Sequence, residues 1–127
     1  MFLECAKEHG VTDAEIQTAT ELEDVSYIKP CFWACCFKKS GFLDDNGRYI
    51  LYPGLKNVRK IVKRDDAYTD LEIIARQCES VNDQVVKYEE AGCERGALVA
   101  ACFMDQMDQI RLVKKKKLLS ARRLNHT

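Results

Sequence analysis

The chain has 127 residues, 46% of them hydrophobic and 31% charged, with twenty Lys and Arg against twenty Asp and Glu. That length buries a real core and that composition is globular, which excludes a disordered chain, and no apolar run approaches the roughly 18 residues of a membrane span. The zero net charge hides a split: residues 1–110 carry −7 and residues 111–127 carry +7. An acidic body without a basic, aromatic-laced face excludes nucleic acid as the main partner.

One domain over 1–127 is expected, with 111–127 a basic C-terminal tail. Met1-Phe2-Leu3-Glu4 does not open a signal peptide, so a secreted protein is expected here in processed form. Residues 2–9 read as one or two helical turns, with Phe2, Leu3 and Ala6 inward. Thr12-Asp13-Ala14-Glu15 is a capping box, T-x-x-E, and opens a helix to about Leu22 with Ile16 and Ala19 on its buried side. Pro30 to Gly41, PCFWACCFKKSG, is the hub: Pro suits the first helical position and Gly the residue past the end. Cys31 and Cys35 lie four apart on one face of that helix, and Phe32, Trp33 and Phe37 require burial.

Phe42 to Pro53 is an apolar loop whose Asp44-Asp45-Asn46-Gly47 is turn chemistry. It is not a calcium loop, since an EF-hand needs ligands over twelve residues ending in Glu. Tyr49-Ile50-Leu51-Tyr52 reads as a short extended piece or a flap over the interior. Leu55, Val58, Ile61 and Val62 fall at helical spacing to about Lys63, with Lys56, Arg59, Lys60, Lys63 and Arg64 on a solvated side. Thr69-x-x-Glu72 is read as a second capping box, starting a helix with Leu71, Ile74, Ala75, Cys78 and Val81 on one face. The last major helix is expected from about Glu90 to Ile110. Its Cys93 and Cys102 point in opposite directions, and Gly96, Val99, Ala100, Phe103, Met107 and Ile110 share a third face. Beyond it Val113, Leu118, Leu119 and Leu124 among lysines suit an amphipathic basic helix or a frayed end.

Nothing in the chain is a nucleophile elbow, a phosphate loop or an H-E-x-x-H pair, and the two histidines, His9 and His126, sit at the chain ends. No enzyme, no cofactor and no metal site is expected. Seven cysteines, at 5, 31, 35, 36, 78, 93 and 102, read better as oxidised bridges in an extracellular setting with one thiol left over.

Their spacing, C5-x25-C31-x3-C35-x42-C78-x14-C93-x8-C102, closely resembles that of the insect odorant-binding proteins, the pheromone and general odorant-binding family. The resemblance covers residues 5–102 and implies an all-α fold, a compact bundle of about six helices cross-linked by three disulfides around an apolar pocket. It also implies the pairing Cys5–Cys35, Cys31–Cys93 and Cys78–Cys102, one choice among the fifteen that six cysteines allow. Family pocket positions fall on Phe37, Phe42, Tyr49, Val58, Ile61, Ile74, Gly96, Val99 and Phe103. Tyr49 is expected to supply the hydroxyl that orients a ligand, with Tyr52 and Tyr68 behind it. The implied function is a secreted carrier of small hydrophobic volatile ligands, odorants or pheromones, in sensillum lymph. An odorant receptor, a membrane surface and a homodimer partner remain open. So do two other readings: a carrier of lipids, hormones or amines in haemolymph or saliva, and a membrane-active defence protein working through the tail. Cys36 stands outside the six-cysteine scheme, and any pH-dependent release would rest on His9 or His126.

Overall fold

The computed structural model describes residues 2–125, without the side chains of Glu90 and residues 123–125. Among the described residues there are six α-helices: α1 (Phe2–His9), α2 (Asp13–Leu22), α3 (Pro30–Ser40), α4 (Gly54–Ile61), α5 (Asp65–Gln77) and α6 (Cys93–Asn125). Short 310 turns cover Val25–Tyr27, Cys78–Asp83 and Glu89–Ala91. An isolated bridge of β type joins Leu43 and Tyr49. The fold is all-α, as the sequence implied.

Local chemistry sets several of these boundaries. At α2 the Thr12 hydroxyl accepts from the Glu15 N–H across 3.2 Å while the Glu15 carboxylate accepts from the Thr12 N–H across 3.2 Å, so the capping box is complete. Pro30 occupies the first turn of α3, where no N–H is needed. Gly41 closes that helix at φ 91°, a left-handed conformation that glycine adopts without strain, and its N–H returns to Phe37 and Lys38.

α3 is the hub. Phe32, with Trp33, Cys35 and Cys36 beside it, packs toward Cys5, Val11, Ala19 and Ile28 of the N-terminal segment. Ala34 and Phe37 face a second, larger cluster built with the 42–51 loop and α4, α5 and α6. The disulfides are Cys5–Cys35, Cys31–Cys93 and Cys78–Cys102. Two of them leave α3, and α6 is tied on opposite sides by Cys93 and Cys102. α3 and α6 lie close because Gly96 has no side chain: a Cβ there would stand 2.6 Å from the Ala34 backbone nitrogen.

Four sequence expectations need correction. α5 begins at Asp65, with Arg64 at its N-cap, and Thr69 lies inside the helix instead of capping it. Asp65 and Asp66 in the first turn suit the positive end of the helix dipole, and this acidic turn displaces the later start. α6 begins at Cys93 instead of Glu90, because Tyr88 (φ 51°) and Gly92 (φ 75°) are left-handed and enclose a separate 310 turn. Leu3 points outward, 77% exposed, and Phe2 only lies edge-on over Phe32 at 5.3 Å; Met107 is also half in solvent. Finally, the chain past Ile110 neither frays nor forms an amphipathic face. It continues α6 as regular helix to Asn125, which makes that helix 33 residues, roughly 50 Å long. On it Val113, Leu118 and Leu119 point about 100–140° apart. The side chain of Leu124 and the whole of His126 lie outside the described residues. No described helix is long and apolar enough to cross a membrane.

Candidate ligand-binding site

Seven of the ten positions expected to touch a ligand come together in the larger cluster. Phe42, Tyr49, Ile74 and Val99 are buried in it, and Phe37, Val58 and Phe103 pack against it. They come from α3, the loop, α4, α5 and α6, so the site exists only in the folded chain. At its centre the ring of Phe103 meets three others edge-on: Phe37 at 5.4 Å, Phe42 at 5.6 Å and Tyr49 at 6.2 Å between centroids. Phe42 and Tyr49 stack at 6.2 Å. Edge-to-face and offset geometries are the favoured ones for aromatic pairs, so the four rings hold one another in place.

The remaining three positions do something else. Gly96 is buried but spends its small size on the approach of α6 to α3. Tyr52 is 58% exposed and Ile61 75% exposed, both outside the cluster, because the loop turns Tyr52 outward and α4 buries Leu55 and Val58 in place of Ile61. Tyr68 lies under Arg59, its ring centroid 4.9 Å from the guanidinium carbon.

Tyr49 is the polar atom of the site. Its hydroxyl donates to the Ala75 carbonyl oxygen across 2.6 Å. Burial, then the charge of Glu79, pushes this phenol well above the ordinary tyrosine range, so it stays a neutral donor. Its backbone is clamped by one side chain: the Asn82 amide accepts from the Tyr49 N–H at 2.9 Å and donates to the Tyr49 C=O at 2.8 Å. The other end of the loop is fixed by Asp44, whose carboxylate accepts from the N–H groups of Asn46 and Arg48, each at 2.9 Å. The predicted turn is thus a rigid wall.

Sequence reasoning missed the supports of that wall. Asn82 carried no signal, since a lone Asn after a helix reads as a turn residue. Arg95 is 1% exposed, and its guanidinium donates to the carbonyl oxygens of Val81 and Gln84 and pairs with Glu89 at 2.9 Å. It locks the 78–89 segment, and therefore Asn82, onto α6. Arginine in the first turn of a helix reads as solvated, and only the tertiary structure shows it inside. Leu43, Leu51 and Leu55 complete the apolar lining.

Two other groups bear on chemistry. The Cys36 thiol is half-buried, and desolvation raises it to about 11, so at neutral pH it is an inert thiol. Glu8, His9 and Cys35 bring ligand-type atoms within 4.8 Å of one another. The Cys35 sulfur is bonded to Cys5, however, and so is no thiolate ligand. At the far end, Ile110 packs against the cluster while Val113, half exposed, lines a surface groove of about 280 Å3 with Asp70, Ile73 and Lys114.

Comparison with known proteins agrees with this architecture. The model of the PBP/GOBP family matches residues 1–106. General odorant-binding protein 28a of Drosophila melanogaster is 27% identical over 101 residues, covering 78% of this chain and 67% of that protein. No solved structure matches the chain significantly. With the family model spanning the body from α1 well into α6, and its bundle cross-linked by three disulfides, the chain belongs to the PBP/GOBP family of insect odorant-binding proteins.

Proposed function

We propose that this chain is a secreted, single-domain carrier of small hydrophobic molecules, odorants or pheromones, working in an extracellular fluid such as sensillum lymph. Ligand enters at the aromatic cluster around Phe103, where helices and rings part to form an internal cavity. The observation that carries the reading is the convergence of Phe37, Phe42, Tyr49 and Phe103 behind a wall clamped by Asn82. Family membership and the odorant-binding name of the Drosophila relative support it.

The driving force is desolvation. An apolar ligand moved from water to such a site gains about 25 cal/mol for each Å2 of apolar surface buried, and aromatic walls add contact that is specific in shape. Because the Tyr49 hydroxyl is held by Ala75, the site favours ligands with few polar groups, or one able to displace that bond. Displacement of a fluorescent apolar probe by a panel of volatiles tests the proposal. Saturable uptake by oxidised protein, competed by some volatiles and lost on reduction, is expected. Absence of uptake by correctly oxidised protein would mean that the cluster stays solid core.

A further inference from the structure

The outer side of α4 holds a second concavity with different chemistry. Tyr52, Lys56, Arg59, Lys60, Lys63 and Tyr68 line a cleft of about 650 Å3, a volume within the range of small-molecule sites. The sequence presents these cations as a solvated face and the two tyrosines as inner hydroxyls; the fold instead gathers all six around one opening.

The charges there are unbalanced. Arg59 is answered by Asp65 and by the Tyr68 ring. Lys56 and Lys60 stand one turn apart on α4, Lys63 follows just beyond its end, and none of the three has an ion-pair partner among the described residues. Several other cations of the body are answered, Lys39 by Glu4 and Glu8, Arg48 by Glu89, Arg64 by Asp66 and Arg76 by Glu72; what sets Lys56, Lys60 and Lys63 apart is that they gather around one cleft. Like charges one turn apart repel. An anion seated among them relieves that repulsion and accepts hydrogen bonds from ammonium groups, which are donors only.

We propose that this cleft binds an organic anion. A carboxylate, sulfate or phosphate head sits among Lys56, Lys60 and Lys63, and an aromatic or apolar body lies against the rings of Tyr52 and Tyr68. The site is separate from the aromatic cluster, so the two can be tested apart. The head group can belong to a free molecule or to a lipid, and two probes distinguish these sources.

Phenyl phosphate, with benzyl alcohol as the neutral control, is titrated into the full-length oxidised protein and followed by amide NMR shifts. Saturable shifts confined to residues 52–68, absent with benzyl alcohol and weakened at high salt, are expected. The exposed-site variant K60Q/K63Q should weaken binding at least tenfold while uptake of the neutral core probe stays unchanged. Cosedimentation with phosphatidylglycerol vesicles that is lost in K60Q/K63Q and competed by phenyl phosphate assigns the head group to lipid. Undiminished phenyl phosphate binding by K60Q/K63Q, shifts centred on Lys114–Lys117, or no response to either probe would overturn the proposal.

Discussion

The Tyr49 hydroxyl and the Ala75 carbonyl oxygen, 2.6 Å apart, join the loop wall of the site to α5. The one phenol inside the aromatic cluster therefore holds the structure together before it meets any ligand. Tyr49→Phe should cost about 1 kcal/mol, the usual net worth of one neutral hydrogen bond, read as a lower urea midpoint. Affinity for a purely apolar probe should change less than about twofold, since no ring is lost.

The burial of the same phenol sets an alkaline limit. The folded-state pKa of Tyr49 is raised above its unfolded value, by burial first and by Glu79 second. Its contribution is therefore fully present below about pH 10, the unfolded value, and is lost as pH rises toward the folded one. Urea midpoints measured from pH 8 to 11 should fall for the native chain, and Tyr49→Phe should remove part of that fall.

Gly96 fixes the separation of α3 and α6. An added methyl would stand 2.6 Å from the Ala34 nitrogen and 2.8 Å from its Cα, both backbone atoms that no rotamer change can move. Gly96→Ala should destabilise by about 1–3 kcal/mol through overpacking, despite the better helix propensity of alanine. Thermal unfolding of the oxidised variant measures it.

The bridges differ in reach. Cys31–Cys93 closes 62 residues and Cys78–Cys102 closes 24. On loop entropy alone, replacing each pair by alanine should cost about 4 and about 3 kcal/mol respectively. Denaturant titration of C31A/C93A and C78A/C102A checks both the size and the order.

The outer tail should matter little to stability. Residues 115–122 are exposed on every side, and the ion pairs of the end of α6 with the body among the described residues, Arg111 to Glu23 at 3.0 Å and Lys114 to Asp70, lie before them. Truncation after Lys114 should leave the unfolding midpoint within about 2 °C, as expected for removal of an unburied end.

The cysteines made the fold legible. The cysteine spacing carries the family resemblance, and the resemblance implies the pairing and the gathering of Phe37, Phe42, Tyr49, Val58, Ile74, Val99 and Phe103. The hub helix is legible from Pro30, Gly41 and its own apolar faces. Local signals worked where they acted alone, as at Thr12, Pro30 and Gly41. They failed where two competed: Thr69 carries the capping pattern, yet the acidic turn at Asp65 starts α5. What the sequence concealed was tertiary polarity. Asn82 and Arg95 read as surface residues, and only the folded chain shows the backbone carbonyls that draw them inward. Ile61 and Tyr52 failed for a related reason: an apolar residue at helical spacing can still fall on the exposed side of α4, and the loop turns the Tyr52 hydroxyl outward.

On the proposed function, ligand occupies the space around Phe103. An isotope-filtered NOE spectrum of oxidised protein with one saturating apolar volatile tests it most directly. Cross-peaks from ligand protons to Phe37, Phe42, Val99 and Phe103 are predicted. Cross-peaks confined to Tyr52 and Tyr68, or to Ile73 and Val113, would place the ligand on the surface and contradict the account.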